Sequence, residues 1–543
     1  MSESSSTSRS STTPPSSVIP SPTLSTLSLT DPKEVTEDDR QEAAKLKADA
    51  NKAFSSRNFL KAAQLYSEAI ARNPSDATLF CNRAYTRIKL EEHGYALQDA
   101  SHAIELNPKY AKAFYRRAMC HIQILKPQQA IADLKRVLAL EPQNAQVRRE
   151  LESTQKLVRK IEFEKAIEVE EEKSAVDRCL EMIAEGSCEV EKTYQGPTLE
   201  TTDDGKYKIT IEFIRSMLQW FKDGKTLPRR YAWEITLGAH DHFVKEESLV
   251  DVKVENDATI DVIGDVHGQL YDVLHLLSLT GVPSPKHLLL MNGDLVDRGS
   301  WSVEVILIAF ALKWLHPTGM FINRGNHEAK EMNRTYGFEG EAKHKHGEQT
   351  YKLFAHVFTT IPLATLVSAT RPPAKTENAI LSSNGVKRYF VTHGGLFSKD
   401  GITLDDIRKI KRIGRQPGTE GLMCMFLFLL WTDPQETPGW GPSKRGVGIA
   451  FGPDVTRRWC ESNGVTSILR SHEVRQDGYA VEHDGLCTTV FSAPNYVDQA
   501  GNKGAFVRID AEGTQEYIQF DAQPHPNVRP MAYQSGGLAS LMM

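Results

Sequence analysis

Acidic, amide and imidazole side chains follow five short apolar runs in the C-terminal half of this 543-residue chain. Each run is bounded by glycine-rich segments, a pattern that predicts a buried strand. Functional groups of open α/β sheets lie just beyond the strand ends, so we expect these side chains to converge. Oxygen and imidazole donors of this kind suit one or two divalent metal ions. The six candidate metal ligands are Asp265, His267, Asp294, Asn326, His393 and His472.

The predicted strands are the runs 259–263, 287–291, 320–322, 388–392 and 466–469. The segments that follow read Gly-Asp-Val-His-Gly, Asn-Gly-Asp-Leu-Val-Asp-Arg-Gly, Asn-Arg-Gly-Asn-His-Glu, His-Gly-Gly and Arg-Ser-His-Glu. A single aspartate after a strand is usually a turn former, and a single histidine is more often a core or surface residue than a ligand. The ordered appearance of all five motifs favours one shared metal-dependent site.

The composition excludes several classes of protein. Hydrophobic residues make up 40% and charged residues 25% of the chain, as in ordinary soluble globular proteins. The formal net charge of -5 gives no indication of a nucleic-acid partner. Seven scattered cysteines without a C-x-x-C pair favour a reducing compartment over a disulfide framework. We expect neither a secretory signal nor a transmembrane segment.

A 34-residue repeat occupies the N-terminal part of the chain. Prolines recur at positions 74, 108 and 142, and alanines recur at the same step in two further columns. Small residues let paired helices approach closely, and each proline ends the second helix of its unit. This pattern is typical of tetratricopeptide repeats. We place the three repeats at 43–76, 77–110 and 111–144.

Polar side chains on the first helix of each repeat form a candidate peptide-binding groove. Lys47 and Asn51 share one helix face in the first repeat, as Lys112 and Arg116 do in the third, because each pair is four residues apart. Cations and amides in one groove suit carboxylate ligands. The alternative is that these are ordinary solvated surface side chains. The full candidate set is Lys47, Asn51, Asn82, Lys89, Lys112 and Arg116.

The ordered motifs of the C-terminal half resemble those of the metallophosphoesterase superfamily. Gly394-Gly395 and the segment Ser492-Ala-Pro-Asn-Tyr496 narrow the resemblance to the eukaryotic phosphoprotein phosphatases, which act on phosphoserine and phosphothreonine in proteins. The resemblance implies two divalent metal ions bridged by Asp294, with Mn²⁺ expected in vitro and Fe, Zn or Mg as other candidates. Asp265 and His267 would complete one coordination sphere. Asn326, His393 and His472 would complete the other.

The same resemblance implies catalytic roles for five residues. Arg298 and Arg445 would hold the phosphate oxygens through charge-assisted hydrogen bonds. His327 would protonate the departing seryl or threonyl oxygen, and Asp297 would orient it. Tyr496 would line the pocket.

The repeats resemble carboxylate-clamp tetratricopeptide domains, which grip the Glu-Glu-Val-Asp tail of the heat-shock protein 90 chaperone. Together with the resemblance of the C-terminal half to the phosphoprotein phosphatases, this implies that chaperone tail as a partner, phosphoproteins as substrates, and a cytoplasmic and nuclear location. It also implies that the repeats cover the catalytic cleft until a ligand occupies the groove. Glu91 and a C-terminal helix near 531–543 would make the covering contacts.

We predict a multidomain protein. Its fold class is an N-terminal all-α tetratricopeptide superhelix followed by a C-terminal α/β metallophosphoesterase domain, in which helices flank a central β-sandwich. The predicted segments are a disordered Ser/Thr/Pro-rich tail at 1–38, a three-repeat domain at 39–150, a helical linker at 151–204, a catalytic domain at 205–525 and a C-terminal regulatory tail at 526–543.

Two other functions stay open at this point. A small-molecule phosphoesterase would share the metal motifs but would not explain the repeats. A chaperone-binding adaptor with weak or absent phosphatase activity would explain the repeats. The apolar segment 425–429 supports the adaptor, because the family usually has an acidic residue there. A further departure, 368–385, is predicted to be an inserted surface loop containing prolines.

Overall fold

The structure is a computed structural model that describes residues 35–166, 173–373, 379–417 and 421–534. Most of the predicted tail at 1–38 lies outside the described residues, as do 374–378 of the predicted insertion and 535–543 at the C-terminus. No helix among the described residues is both long and apolar enough to span a membrane.

The N-terminal part is helical and repeats every 34 residues. Helices α2, α4 and α6 begin 34 residues apart, and each helix packs against the next one along the chain. Alanines at the helix crossings, such as Ala50, Ala84 and Ala118, have no exposed surface, which confirms the close helix approach that the repeat predicted. The helices are α1 Glu37–Ser55, α2 Phe59–Arg72, α3 Ala77–Lys89, α4 His93–Leu106, α5 Ala111–Gln123, α6 Pro127–Leu140, α7 Ala145–Ala166 and α8 Ala175–Ala184.

The C-terminal part mixes helices and strands. Its helices are α9 Ile211–Lys222, α10 Arg229–Phe243, α11 Leu270–Thr280, α12 Ser302–Leu315, α13 Lys330–Tyr336, α14 Phe338–His346, α15 Glu348–Phe358, α16 Leu404–Arg408, α17 Gly421–Trp431 and α18 Pro453–Asn463. Its strands are β1 Glu200–Thr201, β2 Tyr207–Lys208, β3 Leu249–Val254, β4 Thr259–Ile263, β5 His287–Met291, β6 Met320–Ile322, β7 Ala364–Ala369, β8 Arg388–Thr392, β9 Asp433–Pro434, β10 Trp440–Pro442, β11 Ile449–Phe451, β12 Ser467–Arg470, β13 Tyr479–Glu482, β14 Cys487–Val490, β15 Gly504–Asp510 and β16 Gln515–Phe520.

Two large sheets pack face to face. One has the order β13-β14-β12-β8-β7-β3 and the other β16-β15-β4-β5-β6. Buried side chains from both sheets, including Val262, Leu290 and Val391, fill the space between them. Helices α8 to α12, α14 and α15 cover the outer face of the five-stranded sheet, and α16 to α18 cover that of the six-stranded sheet. The predicted β-sandwich flanked by helices is confirmed.

The strands that carry the candidate site run parallel within each sheet. Strands β4, β5 and β6 are parallel neighbours, and β12 is parallel to both β8 and β14. Four predicted strands coincide with β4, β5, β6 and β8, and the fifth lies one residue earlier than β12. The two sheets meet beyond their carboxyl ends, where Asp265 pairs with Phe491 and the Ser492 N–H donates to Asp265 O at 3.0 Å.

Two predicted segments are explained by their packing. Helix α8 lies within the predicted linker, and its buried Val176 and Cys179 belong to the core of the C-terminal part. The segment 425–429 lies in α17, where Phe426 and Leu429 are fully buried in the core beside the six-stranded sheet. Burial therefore accounts for the apolar composition of α17.

Candidate active site

Asp294, which follows β5, lies between two groups of metal-type donors. Its Oδ2 atom is 3.6 Å from His267 Nε2 and 3.3 Å from His393 Nε2. Asp265 Oδ2 is 3.7 Å from His267 Nε2. All four side chains are buried. The structure thus brings together the residues predicted for the first coordination sphere.

The second group surrounds His393, which follows β8. Its Nε2 atom is 2.8 Å from Asn326 Oδ1 and 3.1 Å from His472 Nδ1. Asn326 follows β6 and His472 follows β12, so the donors come from three different strand ends. With Asp294 shared between the groups, all six predicted ligands lie together.

Main-chain carbonyls orient two of the imidazoles. His267 Nδ1 is 3.1 Å from Val296 O, and His393 Nδ1 is 3.0 Å from Asn292 O. A carbonyl oxygen can only accept a hydrogen bond, so each Nδ1 carries the proton and each Nε2 presents a lone pair to the donor groups. The neighbouring carboxylate and amide oxygens are also acceptors. Such a cluster of lone pairs fits two divalent metal ions.

Burial opposes charge on these groups. It raises the pKa of Asp265 to about 8 and that of Asp294 well above its ordinary range. It also lowers the pKa of His267 and His472 well below 6.5. A bound cation would favour the ionised carboxylates and the neutral imidazoles, which are the forms that coordinate metals.

His327 and Asp297 form a hydrogen-bonded pair beside the donor groups. His327 Nδ1 is 2.9 Å from Asp297 Oδ2, and the Phe338 N–H donates to Asp297 Oδ1 at 2.9 Å. Burial raises the pKa of Asp297 to about 7, whereas burial and then the charge of Arg298 lower the pKa of His327. With Nδ1 bonded to Asp297, the Nε2 atom is the one left to act in the cavity that His327 lines.

Several of these residues have left-handed backbone conformations, which are costly for residues other than glycine. The tight turns after the strands impose them. Gly325 allows one close approach, because a Cβ at this position would overlap Asp294 Oδ1. The site residues with positive φ are His267 (41°), Asp294 (50°), Asp297 (71°), Arg298 (68°) and His472 (72°).

Two arginines, the buried Arg298 and the partly buried Arg445, line the same cavity as the donor groups, together with Tyr496. The Arg298 guanidinium lies 4.1 Å from the centre of the Tyr336 ring. Arg445 donates from Nε to Asp433 Oδ2 at 2.7 Å and from Nη2 to the His472 carbonyl at 2.5 Å. The predicted phosphate-binding residues therefore face the predicted metal ligands.

Three residues without a predicted role support the site. Glu328 accepts the Asp294 N–H at 2.9 Å and the Gly325 N–H at 2.8 Å. Asn333 donates to Asp297 Oδ2 at 3.2 Å and to the His327 carbonyl at 2.6 Å. Asp433 orients Arg445. The sequence contains these polar residues but does not reveal the contacts of Glu328 with Asp294 and of Asn333 with Asp297, because the partners are 34 and 36 residues apart.

The second and third repeats reach into this cavity. Glu91 Oε1 is 2.8 Å from Arg298 Nη2, and the Gly94 N–H donates to Lys444 O at 2.7 Å. The Tyr336 hydroxyl donates to Gln123 Oε1 at 2.6 Å. Leu125 packs beside Met332, Tyr336 and Met531. Glu91, predicted to be a covering contact, thus lies at the site.

The described part of the C-terminal tail also touches the Arg298 loop. The Met531 N–H donates to Arg298 O at 2.9 Å, and the Ala532 N–H donates to Ser300 Oγ at 3.2 Å. Residues 531–533 form a turn where we expected the start of a helix, and the remainder of the predicted helix lies outside the described residues.

In the first part of the groove, Lys47 already has a partner. Its Nζ atom is 3.3 Å from Asp76 Oδ2, and it also bonds to the Thr78 hydroxyl. The Tyr66 hydroxyl donates to Asn51 Oδ1 at 2.6 Å. Burial raises the pKa of Tyr66, and a hydrogen bond with the Asn82 side chain partly offsets this rise.

In the second part of the groove, Arg116 and Lys89 share one aromatic neighbour. The Arg116 Cζ atom is 3.5 Å from the centre of the Tyr85 ring, and Lys89 Nζ is 5.8 Å from it. Lys112 is exposed one helical turn before Arg116. Helices α3 and α5, which carry these residues, are in contact.

Comparisons with known proteins agree with this architecture. The family model described as calcineurin-like phosphoesterase matches residues 258–476, and the one described as PPP5 TPR repeat region matches 151–251. Serine/threonine-protein phosphatase T of Aspergillus oryzae is 46% identical over 506 residues, covering 93% of this chain and 99% of that protein. Serine/threonine-protein phosphatase 5 of Homo sapiens is 43% identical over 492 residues, covering 90% and 93%.

A structure of a protein serine/threonine phosphatase from Saccharomyces cerevisiae is also similar. It is 42% identical, with a TM-score of 0.54, and the match covers 60% of this chain and all of that one. The chain therefore belongs to the serine/threonine-protein phosphatase 5 (phosphatase T) family of enzymes, which join a tetratricopeptide region to a calcineurin-like phosphoesterase domain.

Proposed function

We propose that this enzyme hydrolyses phosphoserine and phosphothreonine in proteins, that its repeats hold it inactive, and that a chaperone tail ending in carboxylates activates it. The heat-shock protein 90 tail is the proposed activator. The observation that carries the proposal is the 2.8 Å ion pair between Glu91 and Arg298. The Glu91 carboxylate, which belongs to the repeats, pairs with the Arg298 guanidinium that would otherwise bind the substrate phosphate.

Glu91 reaches the cavity from the turn between α3 and α4. Glu91 has φ +59° directly after the last turn of α3, where glycine is the residue that fits without strain. A glutamate at this position adds backbone strain while it places a negative charge in the catalytic cavity. The equivalent residues of the other two repeats, Arg57 (φ +61°) and Leu125 (φ +58°), have the same conformation. The turn of each repeat therefore sets this backbone, and it is the side chain of Glu91 that supplies the contact with Arg298.

The arginines would bind the substrate. Arg298 is buried and Arg445 is partly buried beside the cavity, and planar guanidinium groups bind phosphate oxygens through paired hydrogen bonds. The hydrogen bond to Asp433 orients the Arg445 guanidinium, and the Tyr336 ring packs against the face of the Arg298 guanidinium. In phosphoryl transfer, such positioning and charge stabilisation do most of the catalytic work.

The two donor groups would hold two divalent metal ions, for which Mn²⁺ is the proposed ion in vitro. When bound, such a pair activates water and neutralises phosphate charge. The ligands would be Asp265, His267, Asp294, Asn326, His393 and His472.

His327 would act as the general acid. In the imidazolium form, its Nδ1–H donates to Asp297 and its Nε2–H can pass a proton to the departing seryl or threonyl oxygen, which leaves the neutral imidazole with its proton on Nδ1. Asn333 holds both members of the pair through one amide group. General acid catalysis of this kind typically contributes about 10²–10⁴-fold to the rate.

The groove residues would receive the chaperone tail. Lys89, Lys112 and Arg116 supply positive charge, and Asn51 and Asn82 supply amides. A tail ending in aspartate presents a side-chain and a terminal carboxylate. A ligand shifts a conformational equilibrium only through unequal affinity for the two states, so the tail must bind better when Glu91 has left Arg298.

A location in the cytoplasm and nucleus is part of the proposal. Six cysteines among the described residues are free and buried, which suits a reducing compartment. Fractionation of cells that express the tagged protein would test it, and recovery mainly from the secretory pathway would contradict it.

Phosphopeptide hydrolysis with added Mn²⁺ tests the function. Deleting residues 1–172 leaves α8 in place and should raise the basal rate and abolish activation by a Glu-Glu-Val-Asp peptide. Arg116→Ala should keep the basal rate low and blunt activation. A peptide with an amidated C-terminus is the control ligand. Equal basal rates for the full and shortened chains would refute inhibition by the repeats.

A further inference from the structure

We infer that Tyr85 is a positioning residue of the repeat groove, which holds Lys89 and Arg116 side by side for a carboxylate ligand. This inference rests on the proposed peptide-binding function of the groove. In this arrangement the Tyr85 ring aligns two cations, Lys89 from the second repeat and Arg116 from the third.

The geometry places Tyr85 between the two cations. The Arg116 guanidinium carbon is 3.5 Å from the centre of the ring, a stacking distance, and Lys89 Nζ is 5.8 Å from the same point. Tyr85 and Lys89 are one helical turn apart on α3, whereas Arg116 comes from α5. The ring of Phe54, from α1, packs against Tyr85 at 5.1 Å. Three helices therefore fix the position of this ring.

The charges of the groove explain why a support is needed. Burial lowers the pKa of Lys89, and the charges of Arg116 and Arg57 lower it further. These cations repel one another, which opposes their lying side by side. The negative face of an aromatic ring supplies an opposing attraction.

Stacking also leaves the binding groups of Arg116 available. A ring face contacts the plane of the guanidinium and takes none of its in-plane N–H groups, so the stacking does not compete with a carboxylate for them. Arg116 also lies 5.5 Å from the centre of the Tyr115 ring, and its Nη1 donates to Met119 Sδ at 3.4 Å. The nearby acid Glu150 accepts hydrogen bonds from the Tyr115 hydroxyl at 2.9 Å and the Gln146 amide at 3.0 Å.

Peptide binding by the full chain tests this role. Calorimetry with a peptide ending in Glu-Glu-Val-Asp should show Tyr85→Ala about 2- to 30-fold weaker than the unmodified chain, the range expected for loss of a cation–π contact. Tyr85→Phe keeps the ring face and should bind within about twofold of the unmodified chain. Tyr85→Leu keeps the apolar volume and should bind weakly while its thermal unfolding stays near that of Tyr85→Phe.

A double-mutant cycle separates positioning from packing. In an Arg116→Ala background, Tyr85→Leu should cost clearly less affinity than it does alone, because the residue it positions is missing. Fully additive losses would overturn the inference, as would unchanged binding by Tyr85→Leu in the unmodified background. Failure of the unmodified chain to bind the peptide would instead refute the groove function, and this inference with it.

Discussion

Replacing Glu91 with glutamine tests the link between the repeats and the catalytic cavity. The substitution keeps the size of the side chain and removes the charge that pairs with Arg298 at 2.8 Å. We expect the basal rate of phosphopeptide hydrolysis to rise, because the closed arrangement loses its ion pair and Arg298 becomes available to phosphate.

The pKa of Glu91 gives the magnitude. Despite burial, the charge of Arg298, followed by those of His93 and Arg445, lowers this pKa from 4.5 to about 2. At about 1.36 kcal/mol per pKa unit, the difference corresponds to about 3 kcal/mol. About a third of the Glu91 side chain (32%) remains exposed, so solvent screening reduces the contribution. If the ion pair stabilises the closed arrangement by about 1–2 kcal/mol, its loss increases the open fraction, and with it the basal rate, by roughly 5- to 30-fold.

The assay is the initial rate with a phosphoserine peptide and Mn²⁺. Glu105→Gln is the matched control, since the Glu105 side chain is exposed on α4 and its charge change is the same. The chain that lacks residues 1–172 gives the rate of the fully open enzyme. A Glu91→Gln rate within twofold of the control, alongside a shortened chain that is at least tenfold faster, would refute the proposed contact.

Four further predictions follow from the same geometry. The activation caused by Glu91→Gln should be constant between about pH 5.5 and 8: the lowered pKa of Glu91 means that its stabilisation is fully present above 4.5 and is lost only as the pH falls toward about 2. His327→Asn should lower kcat by about 10²–10⁴-fold and leave metal content unchanged, because His327 is a proposed acid and not a proposed ligand. Asp294→Asn should lose metal and activity together, since Asp294 lies between both donor groups. Asp76→Asn should tighten peptide binding by roughly two- to fivefold, because it frees Lys47 from a weak, partly exposed ion pair.

Each of these has its own control. For the pH profile, activation that disappears well above pH 4.5 would contradict the assigned pKa. Metal analysis and kinetics of His344→Asn, which alters a histidine on α14 outside the proposed ligand set, provide the reference for His327→Asn. Asp294→Asn with full metal content and full activity would rule out a shared ligand. The asparagine introduced by Asp76→Asn should still cap α3, as Asp76 does. A fall in peptide affinity of that variant at unchanged thermal stability would contradict the competition that we describe.

The sequence predicted the strands of the candidate site, and the convergence of the candidate ligands beyond their ends, because the signals are local. A run such as 259–263 is apolar, short and followed by a glycine, and these features alone favour a buried strand with a functional residue at its end. Because the strands that carry these residues pair in parallel within each sheet, the residues that follow them lie at the same edge of that sheet. The 34-residue repeat was equally predictable, since each helix pair packs mainly on its sequence neighbours.

The partners of groove and site residues were not predictable in the same way. Lys47 was expected to be available for a ligand, yet the beginning of α3 brings Asp76 to it. Asp433 and Glu328 have no assigned partner in the sequence, because Arg445 and the Asp294 N–H reach them only through the folded loops. Side-chain partners at these distances depend on how separate elements pack.

By itself, the sequence determined the two-part architecture, the strand ends that carry the ligands and the helix faces that carry the groove cations, since these depend on periodicity and on spacing within one element. Only the tertiary structure decided that Glu91, far from Arg298 along the chain, lies 2.8 Å from it, and that the Tyr85 ring lies beside cations from two repeats. Such contacts form between residues of different elements. Which residues meet depends on how whole helices and sheets pack, and no local pattern of residues encodes that packing.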